Sequence, residues 1–166
     1  MEDKLFNKLP LNLPSFNYTL KQVLGKVYIL DVVYKKYLVL SPEEWVRQHM
    51  LNYLIYHLAY PKGLCCSERK IERTTGYYRP DIVLRNPKGQ ANMIVECKAP
   101  YLKITYKTLG QILQYHRYLT AEFLVLTNGM VHFCWQLTQP SNQFKAIKYI
   151  PSYEELKKIM DSNQEL

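Results

Sequence analysis

The chain has 166 residues, 48% hydrophobic and 22% charged, with a formal net charge of +8. That length suits one domain with a real core and leaves no room for a motor domain, and the composition excludes intrinsic disorder. No run approaches the ~18 apolar residues of a membrane span, and Glu2, Asp3 and Lys4 stand where a secretory signal would be apolar, so a cytoplasmic protein with no membrane partner is expected.

The four cysteines, Cys65, Cys66, Cys97 and Cys134, form no C-x-x-C pair. They fit neither a zinc site nor a disulfide framework, and they suit a reducing compartment. The charge is unevenly spread: between Pro61 and Arg117 there are 11 Lys and Arg against 4 Asp and Glu. A basic field over one segment suits a phosphodiester substrate, although many basic proteins bind no nucleic acid.

Residues 1–15, broken by Pro10 and Pro14, read as an extended arm. Phe16 to Leu40 reads as a β-meander. Gly25 separates Lys21–Val23 from Val27–Leu30, and Lys35-Lys36 separates Val32–Tyr34 from Tyr37–Leu40. Ser41-Pro42-Glu43-Glu44 starts a helix, with Ser41 as N-cap and Glu44 three residues on, and the helix should stop before Pro61. Leu51, Leu54, Ile55 and Leu58 form its apolar stripe, with Met50 at one edge. At about 100° per residue Arg47 falls in the middle of that stripe, with Glu43 and Glu44 at its two edges. Capping and dipole compensation alone explain both acids. Cys65 to Thr74, with alternating charge, reads as an edge strand, and Thr75-Gly76-Tyr77 as a turn. Tyr77, Tyr78 and Arg79 can contact a nucleic-acid backbone or simply lie on the surface.

Two strands follow. Arg79-Pro80-Asp81-Ile82-Val83-Leu84 and Met93-Ile94-Val95-Glu96-Cys97-Lys98-Ala99-Pro100 flank the turn Asn86–Gln90. They carry Asp81, Glu96 and Lys98 where burial is expected, and unpaired buried charge is costly. Side chains alternate along a strand, so Glu96 and Lys98 share a face while Cys97 points away. Paired as a hairpin, the strands bring Asp81 near Glu96. Two carboxylates plus water suit a hard cation such as Mg²⁺, with the Cys97 carbonyl available as a third ligand. Lys98 beside it can stabilise developing phosphoryl charge or act on the attacking water.

Thr105 caps a second helix to about Leu119, with Leu109, Ile112, Leu113 and Leu119 toward the sheet and Gln111 and Tyr115 on one neighbouring face. Its histidine, His116, and His57 of the first helix read as structural or exposed. Glu122–Thr127 is a buried strand, Asn128-Gly129 a hairpin turn into Val131–Trp135, Phe144–Ile150 a last strand, and Pro151–Glu155 the start of a short helix.

Pro80-Asp81 followed by Glu96-Cys97-Lys98 resembles the PD-(D/E)xK nuclease signature. With Pro42–Gln48, Arg79–Val83, Val95–Pro100, Gln111–Tyr115 and Leu126–Gly129 in this order, residues 40 to 135 resemble the N-terminal nuclease domain of type I restriction enzyme R subunits. The resemblance implies an α/β (α+β) fold: a restriction-endonuclease-like αβββαβ core with a mixed central sheet flanked by helices, plus the N-terminal β-meander. One domain over 1–166 is expected, with the arm and β extension at 1–40, the nuclease core at 41–135 and a C-terminal strand and helix at 136–166.

It also implies a Mg²⁺-dependent DNA endonuclease, with Mn²⁺ as a substitute. Asp81, Glu96, Lys98, Gln111 and Tyr115 would be catalytic. Glu44, Asp81, Glu96 and Cys97 would serve the metal, Glu44 rather than Glu43 because the family's Glu-x-x-Arg spacing points to it. Arg79, Lys103 and Lys107 would meet the nucleic acid. Partners would be DNA and other restriction-modification subunits or a separate motor, since no Walker motif occurs; the oligomeric state is open. The alternative is an inactive nucleic-acid-binding or assembly module of the same fold, and a third reading is a structural partner-binding protein with a tyrosine-rich surface.

Overall fold

The computed structural model describes residues 10–67, 71–73, 76–138, 141 and 143–164. The expectations for residues 1–9 of the arm, and for 68–70 and 74–75 in the charged strand and its turn, lie outside these described residues.

The N-terminal meander is real but shifted. Strands β1 (Leu20–Val23), β2 (Lys26–Leu30) and β3 (Tyr37–Val39) form an antiparallel sheet. Leu24 and Gly25 both adopt positive φ, which joins β1 to β2 by a tight two-residue turn. Val32-Val33-Tyr34, expected as strand, lies instead in the connection to β3. Asp31 causes this: its carboxylate accepts the Val33 and Tyr34 N–H groups at 2.8 and 2.7 Å, closing a turn that competes with the ladder.

Helix α1 (Pro42–Asn52) starts where Ser41 accepts the Glu44 N–H at 3.0 Å. It does not continue as α-helix to Tyr60. A π-helical turn over Tyr53–His57 follows, and Ala59 at φ 59° ends it. Beyond a 3₁₀ turn come β4 (Cys65–Ser67) and a hairpin of β5 (Ile71–Arg73) with β6 (Gly76–Tyr78); β4 and β5 are the described parts of the edge strand expected from Cys65 to Thr74.

The central sheet has six strands in the order β11-β10-β9-β8-β7-β4, with β7 (Ile82–Arg85), β8 (Ala91–Cys97), β9 (Phe123–Thr127), β10 (His132–Thr138) and β11 (Gln143–Ile147). Only β8 and β9 are parallel, because helix α2 (Tyr106–Leu119) provides the crossover between them. Helix α3 (Tyr153–Gln164) closes the described chain.

Alternation along the strands divides the core. Ile82, Leu84, Met93, Val95, Cys97, Phe123 and Val125 meet Val46, Met50 and Leu51 of α1 and Leu54 of the π-helical turn. Val83, Ile94 and Leu124 meet Ile112 and Tyr115 of α2. Leu113, expected to face the sheet, is 37% exposed; Tyr115 takes that buried place. Asp81, Glu96 and Lys98 have the parity of Val83 and Ile94, so they belong to the α2 side, at the end of the β7–β8 pair.

Candidate active site

The β7–β8 hairpin opposes Ile82 to Val95 and Val83 to Ile94. One residue further, the same register sets Asp81 opposite Glu96. Asp81 Oδ2 accepts the Cys97 N–H at 2.6 Å, which fixes its carboxylate across the strand end. Cys97 itself turns its thiol into the core, where burial pushes it well above the usual thiol range; only its backbone faces the acids.

Glu96 is 3% exposed and its Oε1 accepts two bonds, from Lys98 Nζ and Gln111 Nε2, both at 2.6 Å. Gln111 also donates to the Tyr115 hydroxyl at 3.0 Å, and that hydroxyl bonds Glu96 in turn. The i, i+4 spacing on α2 thus presents an amide and a phenol together to one carboxylate. The second oxygen, Glu96 Oε2, is buried without a hydrogen-bond partner among the described residues. Such an orphan calls for an explanation.

Electrostatics follows from this crowding. Burial and the Glu96 charge raise Asp81 well above the usual carboxylate range. Burial likewise raises Glu96, although the Lys98 bond opposes it. Burial works against the Lys98 ammonium, but its bond to Glu96 and the charges of Glu96, Glu43 and Asp81 outweigh that and raise it. Tyr115 is pushed up to about 12 by burial and by Glu96. At neutral pH Lys98 is therefore a cation and Tyr115 a neutral donor, while the two acids resist carrying charge side by side.

Glu44 does not reach this cluster. Its Oε1 accepts from Arg47 Nη2 at 2.6 Å and from Gln48 Nε2 at 2.9 Å, and its Oε2 accepts from Arg47 Nε at 2.9 Å. Both of its oxygens are committed to these partners. Glu43, one residue earlier, lies near enough for its charge to act on Asp81, Glu96 and Lys98. Glu44, expected at the metal, is held by Arg47 and Gln48 instead. Asp31 and Gln48, which hold Arg47 and Glu44, carried no signal in the sequence beyond a lone acid between two apolar runs.

Arg79 is exposed immediately before Pro80-Asp81, and Lys103 and Lys107 are exposed before and in the first turn of α2. Lys107 precedes Gln111 by four residues and so shares its face. Among the described residues no three His, Cys, Asp or Glu side chains converge tightly enough to cage a metal by themselves. Mg²⁺ needs less than a cage: one or two carboxylates, with water completing the octahedron. The hard oxygen donors and the orphaned Glu96 oxygen fit such an ion.

Residues 42–151 match the family described as type I restriction enzyme R protein N terminus. The chain belongs to that family. It is also similar in structure to a fragment described as a candidate HsdR subunit of a type I restriction enzyme from Vibrio vulnificus YJ016, with a TM-score of 0.55 and 16% identity. That likeness covers 76% of this chain and 26% of the Vibrio chain, so the protein spans about a quarter of that relative's length. It supports the fold alone. No curated protein matches. Among the described residues no helix is long and apolar enough to cross a membrane.

Proposed function

We propose that this R-protein N-terminal domain is a Mg²⁺-dependent DNA endonuclease of the PD-(D/E)xK kind, with Mn²⁺ able to substitute. The observation that carries the reading is the opposition of Asp81 and Glu96 at one strand end, with one Glu96 oxygen held by Lys98 and Gln111 and the other buried and unpartnered. Asp81, Glu96 and the Cys97 carbonyl hold the cation. A cation there supplies the charge that makes a water nucleophilic at neutral pH and offsets negative charge on the phosphate.

The chain's own groups do the rest. Lys98, kept protonated, donates to the phosphoryl oxygens as they gain charge rather than removing a proton from water. Gln111 and Tyr115 are positioning residues: Gln111 fixes the Glu96 carboxylate through one oxygen and is itself held by the Tyr115 hydroxyl, which leaves the other oxygen for the cation. Arg79, Lys103 and Lys107 bind the DNA backbone. Translocation, where it occurs, comes from a motor carried by further sequence or by another restriction-modification subunit, in the cytoplasm.

Plasmid nicking with Mg²⁺ tests this. Asp81→Ala and Lys98→Ala should each slow nicking by about 100-fold or more. Equal nicking by all three proteins would eliminate this site, and DNA binding without nicking by any of them would leave a binding or assembly module.

A further inference from the structure

Between Glu96 and Glu122 the chain carries no acidic residue, while Lys98, Lys103, Lys107 and Arg117 are spread along it. Two tyrosines stand among these cations. Tyr101 is 69% exposed and Tyr106 93% exposed. Among the described residues neither hydroxyl has a hydrogen-bond partner and neither ring packs on another ring. A single exposed apolar side chain needs no explanation, but two bare rings interleaved with lysines directly after a candidate active-site strand do.

Tyr101 is presented on a fixed support. Ala99-Pro100-Tyr101-Leu102 is a β-turn, closed by the Leu102 N–H on the Ala99 carbonyl at 2.9 Å, with Pro100 at the second position, where its fixed φ suits the turn. The Asn128 side-chain amide donates to the Leu102 carbonyl at 2.8 Å and ties this turn to the β9–β10 connection. Ala99 is buried, so the turn is rooted in the core. The Tyr101 ring is thus held in water three residues beyond Lys98. Tyr106 is the first residue of α2, five residues and about 7.5 Å of helix axis before Gln111. The Thr105 N–H donates to the Thr108 hydroxyl at 3.3 Å, so the helix start is closed without the tyrosine.

A closed duplex and an unpaired strand ask for different surfaces. A duplex keeps its base faces stacked inside and offers phosphates, which lysines alone satisfy. An unpaired strand exposes its base faces, and a ring among cations that takes one is worth roughly 5- to 150-fold in affinity. We infer that Tyr101 and Tyr106, with Lys103 between them in the chain, are stacking platforms for unpaired bases, and that the substrate class of the candidate active site is single-stranded DNA. The inference rests on the nuclease reading proposed above and names its substrate.

The test is fluorescence anisotropy of the full chain in EDTA, with a labelled oligothymidylate and a blunt duplex of the same length. No cation and no cleavage enter, so the outcome is independent of the metal chemistry. Wild type should bind oligothymidylate about tenfold more tightly than the duplex. Tyr101→Ala and Tyr106→Ala should each weaken oligothymidylate binding about tenfold and leave duplex binding within about twofold, whereas Tyr101→Phe and Tyr106→Phe should bind as wild type does, since stacking needs the ring and not the hydroxyl. Stacking neutralises no phosphate, so the alanine variants should keep the wild-type log–log salt slope on oligothymidylate, while Lys103→Ala should make it shallower by about 0.7. Wild type binding both DNA forms equally, or alanine variants binding oligothymidylate as wild type does, overturns the inference and leaves a duplex nuclease standing. Parallel loss of both forms in the alanine variants overturns it as well. Wild type binding neither form removes the DNA reading itself. Ring-dependent strand binding without Mg²⁺-dependent nicking defeats the nuclease reading and keeps the single-strand surface.

Discussion

Glu96 takes an ammonium and an amide on one oxygen and leaves the other bare. Removing the amide in Gln111→Ala leaves the carboxylate less fixed, and Mn²⁺ affinity by calorimetry should drop about tenfold. Asp81 and Glu96 both have folded pKa values above their unfolded ones. Between those limits the native state binds more protons than the unfolded chain, so this pair's contribution to stability is present at low pH and lost as pH rises through the folded values. Melts in EDTA at about pH 5 and about pH 8 should therefore fall more steeply for wild type than for Asp81→Asn, and Mg²⁺ should raise the melting temperature most at the higher pH. Identical pH slopes would contradict the raised pair. At this scale much was legible. Asp81, Glu96, Lys98, Gln111 and Tyr115 stand at spacings that strand and helix periods bring together. The engagement of Glu44 by Arg47 was not legible, because it depends on a distant partner of Arg47, Asp31.

Helices and hairpins announced themselves where local chemistry acts alone: Ser41-Pro42 at the start of α1, Gly25 in the first hairpin, the Asn86–Gln90 turn closed by Gly89 at φ 83°. They misled where a tertiary group intervened. Val32-Val33-Tyr34 has the composition of a strand, yet the Asp31 carboxylate claims its N–H groups. The π-turn after Asn52 carries no local mark. Gly129 is a position where shape and φ both bind. At φ 80° an added Cβ would sit 2.9 Å from Leu11 Cδ2 and 3.1 Å from Val46 Cγ2, while the Gly129 carbonyl accepts the Asn12 N–H at 2.8 Å. Gly129→Ala should cost about 1–3 kcal/mol in urea unfolding, from strain and crowding together. An unchanged midpoint would mean that the arm does not dock there.

The basic surplus between Pro61 and Arg117 is a property of a whole segment rather than of any one contact. DNA affinity should fall with salt at a log–log slope near −0.9 per phosphate neutralised, and removing Arg79, Lys103 or Lys107 should each reduce that slope by about one. A flat salt response would separate this domain from nucleic acid altogether. The αβββαβ core and the N-terminal meander were legible in the sequence, whereas the β5–β6 hairpin, which pairs within itself, was not. The measurement that bears most directly on the proposed chemistry is the anomalous density of crystals soaked in Mn²⁺. A peak between Asp81 and Glu96, on the Glu96 Oε2 side, is the expected result. Well-ordered density for those side chains in their present places, with no peak between them at saturating Mn²⁺, would contradict it.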